Sequence, residues 1–197
     1  MDIYWIIVYS SIVMWLLPPI RQYRGKYFYF FLLLGLEGLS TLLFVKLQVN
    51  LFKVYNIANI ILILTLTDTT SIRKYWYLFL ISLAAVLFIN QTSDMELIIL
   101  AKITMQVVIF YIFLRDAATD YYKNNSLKVS FIIILLYEIT LLLKSYISVR
   151  NIYASIFFYE ITTAFESFIA IFFTIYKVEK SPSIKLGLGP KKREKLN

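Results

Sequence analysis

Seven apolar runs separated by short polar segments constrain this chain more than any other feature. A helix rises about 1.5 Å per residue, so roughly 20 apolar residues cross about 30 Å of hydrocarbon, and roughly 17–25 are tolerated. The runs cover 3–18, 27–47, 51–68, 75–90, 96–114, 129–147 and 152–176. The first and fourth are short. The third carries Lys53, Asn56 and Asn59 in its first half, and a six-span reading makes it interfacial. Hydrophobic residues are 60% of the 197, whereas a soluble domain holds about 45–50% apolar residues. The predicted fold class is therefore all-α: a polytopic membrane protein with a bundle of seven transmembrane helices (1–176). A basic cytoplasmic tail (177–197) follows, and its composition predicts disorder.

The Lys and Arg distribution orients the bundle. With the N-terminus outside, fifteen fall on inner segments and three on outer ones, while Lys102 and Lys144 lie within spans. The positive-inside rule then predicts an N-out, C-in, multi-pass protein of the plasma (inner) membrane. Tyr4, Trp5, Trp15, Tyr23, Tyr27, Tyr75, Trp76, Tyr121, Tyr122, Tyr153 and Tyr176 flank the spans, as amphipathic rings do at headgroup level. The first run has no basic start and no small-residue cleavage site, so it reads as an uncleaved anchor ended by Pro18 and Pro19. The tail suits anionic inner-leaflet lipid, at about 1 kcal/mol per basic residue near the surface. The formal charge of +8 punctuates apolar runs, which argues against a nucleic-acid partner.

The chain holds no cysteine and no histidine. Thiolate nucleophiles, histidine-based hydrolysis and ordinary zinc or haem ligation are excluded. No Gly-rich phosphate loop is present, and the seventh span has no central lysine for a Schiff base. The reading is a non-enzyme, with no catalytic residue, metal site or cofactor expected. The stretch TLTDTTSIRK (65–74) reads as a helix cap and its following turn.

Charges inside the spans carry the functional expectation. Counted at about 1.5 Å per residue, Glu37 lies roughly 15 Å deep, Glu138 roughly 14 Å, Glu160 roughly 18 Å and Lys102 about 20 Å from the inner face. The segments YEIT at 137–140 and 159–162 are expected to face each other on antiparallel helices, with Lys144 and Glu166 diverging to opposite sides. A charge at bilayer centre costs about 2.5–3.5 kcal/mol, so these groups should face the bundle interior. Thr163 shares a face with Glu160, Gln106 with Lys102, and Asn56 with Asn59. Gly35 and Gly38 bracket Glu37 and allow a neighbour to approach closely.

The expected binding set is Glu37, Asn59, Lys102, Gln106, Glu138, Glu160 and Thr163, with Lys102 partly neutralising the acids. It predicts a transporter or sensor whose mid-membrane acidic cavity takes a cation, a proton or a small cationic solute. The bland alternative is that these groups only fix helix packing. A rival class is a non-catalytic accessory or scaffold subunit, with a membrane-protein partner or homo-oligomer. An offset of 101 residues carries Glu37 onto Glu138 and Asn59 onto Glu160, a pattern that a 3+1+3 repeat would produce.

Overall fold

The computed structural model describes residues 3–48, 50–67, 69–149 and 156–185. Asp68, Arg150, Asn151, Tyr153 and residues 186–197 lie outside the described residues, as do the side chains of Tyr4, Trp5, Lys46 and Tyr75. The protein is mostly helical. Each of the seven apolar runs holds a long helix: α1 (Ile3–Trp15), α3 (Phe28–Lys46), α4 (Leu51–Leu66), α5 (Thr69–Gln91), α6 (Met95–Asn124), α7 (Val129–Val149) and α8 (Ile156–Ile175). A short α2 (Pro18–Gln22) lies between the first two. Met95–Asn124, Val129–Val149 and Phe157–Ile175 are long and apolar enough to cross a membrane; Ile6–Gln22, Phe28–Ser40, Leu51–Leu66 and Trp76–Gln91 are apolar but shorter.

Local chemistry sets the boundaries. Pro18 and Pro19 do not terminate α1, which ends at Trp15; they open α2, where a missing amide costs nothing. The Asn50 side chain accepts from the Phe52 amide at 3.0 Å and starts α4. Asp94 does the same for α6 through the Glu96 and Leu97 amides. Helix α6 does not stop near residue 114 as its apolar run does. Nothing in RDAATDYYKN breaks a helix, and it continues to Asn125, whose φ of 51° forms a left-handed cap.

α6 is central, flanked by α7 and α4, with α5 peripheral against α4 and α6. α8 packs chiefly on α1 and α2 rather than on α7. At Gly35 α1 lies so close that an added Cβ would stand 2.8 Å from the Trp15 carbonyl oxygen. The main core joins Trp15, Phe30, Phe31, Phe113, Phe131, Ile134 and Phe173. Large apolar side chains also cover the outside, among them Trp76, Ile81, Phe88, Tyr111 and Phe168.

The tail departs from expectation over its first nine residues. Residues 177–185 fold onto the bundle through a 3-10 turn (Val178–Lys180) and a strand, β2 (Ser183–Ile184). β2 pairs antiparallel with β1 (Leu127–Lys128). Gln22 clamps the junction: its Nε2 donates to the carbonyls of Phe173 (3.0 Å) and Tyr176 (2.8 Å), and its Oε1 accepts from the Val178 amide (3.2 Å). Val178 is fully buried, and the Ser130 hydroxyl donates to its carbonyl at 3.0 Å. This end of the bundle carries Arg21, Lys26, Arg115, Lys123, Lys128 and Lys177, and is called the basic end below. The start of α4 and the turn between α5 and α6 lie at the opposite end.

Candidate functional site

Five of the seven expected residues meet. Glu37 (α3), Asn59 (α4), Lys102 and Gln106 (α6) and Glu138 (α7) line one cavity of about 30 Å³, closed by Leu34, Leu62, Ile109 and Leu141. Helical spacing explains the convergence, since Lys102, Gln106 and Ile109 share one face of α6. A single water needs at least about 10–15 Å³ measured this way. A space of this size has room for one or two waters or one small ion.

Two atoms facing this space have no protein partner. They are Glu138 Oε2, on a side chain 2% exposed, and Asn59 Nδ2, on one 7% exposed. One is an acceptor and the other a donor. Buried polar atoms are nearly always satisfied by protein or by water, so an acceptor and a donor beside one space are an arrangement that a water could satisfy. Gln106 is held in place: its Oε1 accepts from the Ser145 hydroxyl at 3.0 Å.

Lys102 does not neutralise the acids by contact. Its ammonium lies over the rings of Tyr55 (4.8 Å) and Phe52 (5.5 Å), and none of the ion pairs among the described residues includes it. Cation–π attraction to two ring faces holds the ammonium at the α4-start side of the cavity.

Glu160 and Thr163 do not join the site, and the YEIT segments do not face each other. The register between α7 and α8 is marked by Lys144 Nζ, which donates to Glu166 Oε1 at 2.7 Å. Those residues pair rather than diverge. Antiparallel packing at that register puts Glu138 opposite Phe172 and leaves Glu160 about 18 Å away along the axis. The described part of α8 starts at Ile156, so Glu160 occupies its first turns. Thr163 contributes its carbonyl to the Ser167 hydroxyl at 2.9 Å.

Sequence reasoning missed a second polar group. At the basic end Asp116 accepts from Lys26 Nζ (2.6 Å), Arg115 Nη2 (3.0 Å) and Tyr27 OH (3.0 Å). One turn later Asp120 accepts from Lys128 Nζ at 2.8 Å. Glu179 accepts from the Lys26 amide at 2.8 Å. A cleft of about 210 Å³ lies among them. Its three acids and three lysines balance, and their contacts tie the turn before α3, α6, β1 and the 177–185 segment together. The i, i+4 spacing of Asp116 and Asp120 was the available signal.

No protein-family model matches the chain, and neither a curated protein nor a solved structure matches it.

Proposed function

We propose that this is a seven-span, N-out and C-in membrane protein whose interior site binds a single positive charge, a proton or a small monovalent cation, in a transporter or sensor. The observation that carries the reading is the composition of the cavity. Two carboxylates and one ammonium line it, and fully ionised they leave one negative charge. One proton or one monovalent ion balances that charge, and about 30 Å³ admits nothing larger. The distribution of polarity supports a lipid setting. Asn56, Asn59, Gln106 and Glu138 are buried, while Trp76, Ile81, Phe88 and Phe168 are exposed, an arrangement that suits lipid as solvent. Fifteen basic residues on one side against three on the other support the orientation.

The test is infrared difference spectroscopy on the protein in lipid. The buffer is exchanged between alkaline and acid, then between sodium and a bulky organic cation at fixed pH. The expected result is a carboxylic-acid carbonyl band that changes in one of the two exchanges, is lost in Glu37→Gln and Glu138→Gln, and is kept in Glu160→Gln. A band unaltered in both Glu37→Gln and Glu138→Gln overturns the proposal.

A second reading, an accessory subunit, is favoured by a cleft of about 360 Å³ on the outside of α4, α5 and α6, where Ser82, Ala85, Ala101 and Thr104 present small side chains. Small residues let a further helix approach closely. A stable heteromer in native mass measurement would favour it.

A further inference from the structure

We infer that the cavity communicates with only one end of the bundle, the end where α4 begins, along a ladder of buried asparagines. This rests on the reading of the cavity as the charge site and names its direction of access. From Asn59 toward the start of α4 the same face continues as buried Asn56 and half-buried Lys53. Asn56 is fully buried; its Nδ2 donates to Asn90 Oδ1 (3.2 Å) and to the Ile98 carbonyl (3.1 Å), while its Oδ1 has no partner. Asn90 in turn donates to the Lys53 carbonyl at 2.9 Å, and Lys53 Nζ donates to the Thr92 carbonyl at 3.0 Å. Residues i and i+3 on a helix stand about 5–6 Å apart. Asn56 and Asn59 are therefore one water-bridged step apart, and Asn59 and Glu138 line the same cavity.

Toward the basic end the same helices turn apolar. Below Glu37 come Leu34, Phe31 and Phe30; below Gln106 come Ile109 and Phe113; below Glu138 comes Ile134, all buried. From Glu37 to Tyr27 this plug is about 15 Å deep. Water and ions enter from the polar side and stop at the plug.

The absence of native cysteine allows a direct test. Single variants Asn56→Cys, Asn59→Cys and Phe31→Cys are placed in liposomes of determined orientation. Silver ion, small enough to follow water, is added on one side, and the remaining free thiol is counted. Asn56→Cys and Asn59→Cys should react at least tenfold faster from the α4-start side, and Phe31→Cys slowly from both. Equal rates from the two sides, faster reaction from the basic side, or no reaction at Asn59→Cys overturns the inference. If a cysteine variant fails to fold, Asn56→Leu serves: it should slow hydrogen–deuterium exchange of the Glu138 carboxyl band at least tenfold, and Asn56→Ser should not. Normal exchange in Asn56→Leu also overturns it. Symmetric silver access with an intact glutamate band removes the one-sided path alone; loss of the glutamate assignment with one-sided silver access removes the binding reading alone.

Discussion

Removing one member of the Lys144–Glu166 pair should destabilise the bundle far more than removing both. The ions are 2.7 Å apart, with side chains 21% and 13% exposed. At an effective dielectric of about 20 their attraction is about 6 kcal/mol. Taking each ion out of water costs several kcal/mol, so the intact pair nets little against an apolar pair of similar shape. A single deletion loses the attraction and keeps the desolvation of the remaining ion, a loss of about 3–5 kcal/mol. At about 1.4 kcal/mol per tenfold, Lys144→Met or Glu166→Leu should lower the folding equilibrium at least a hundredfold. The double variant should lie within about 1–2 kcal/mol of the parent. The assay is detergent-induced unfolding of the purified protein in mixed micelles, followed by helical circular dichroism, for all four members of the cycle. Single variants within about 0.5 kcal/mol of the parent, or a double variant equal to the sum of the singles, would refute both the pairing and the α7–α8 register drawn from it.

Gly35→Ala forces a Cβ to within 2.8 Å of the Trp15 carbonyl oxygen, a backbone atom; thermal unfolding should register a loss of about 1–3 kcal/mol. Gly38→Ala meets Ile12 no closer than 3.6 Å, so it should be neutral or stabilising by up to about 1 kcal/mol. Gln22→Leu leaves two carbonyls and the Val178 amide without their partner. It should cost on the order of 3 kcal/mol and hasten tryptic cleavage at Lys177, Lys180 and Lys185.

The positions of the seven long helices were legible because hydrophobic run length and intervening basic residues report them without reference to packing. Their ends were less so. Apolar length says where lipid would end, not where a helix stops, so the polar last third of α6 and the start of α5 at Thr69 could not be read from hydropathy. The tail was misjudged for a similar reason. Composition registers Lys177, Glu179 and Ser181 as solvated, but each finds a partner brought by another element: the carbonyl of Tyr23 for Lys177, the amide of Lys26 for Glu179 and the hydroxyl of Ser130 for Ser181. Within the site, helix periodicity correctly grouped Lys102 with Gln106. Glu37 and Glu138, counted to similar depths, line one cavity. Glu160 does not line it, because depth was counted for each helix separately while the α7–α8 register follows a contact between helices. The offset of 101 residues fares unevenly: Glu37 and Glu138 occupy the same cavity, but Asn59 lines it and Glu160 does not.

That failure changes the chemistry. Three carboxylates with one shared lysine would leave two negative charges and favour a divalent ion with oxygen ligands. The structure divides the charges differently. Glu166 satisfies Lys144, Glu160 stays apart, and Glu37 and Glu138 remain with Lys102. Among the described residues no group of three carboxylates could hold a metal ion. Fully ionised, the cavity groups would leave a balance of one unit, and the ammonium that could have cancelled half of the acid charge by contact is held on the rings of Phe52 and Tyr55. A group drawn to the aromatic rings when a cation occupies the carboxylates, and to the carboxylates when it leaves, would compete directly with the bound charge. Lys102→Met should then tighten sodium or proton binding in the infrared titration by tenfold or more, whereas Phe52→Leu with Tyr55→Leu, which frees the ammonium to return to the acids, should weaken it. Unchanged affinity in both would mean that the aromatic contact only packs α4 against α6.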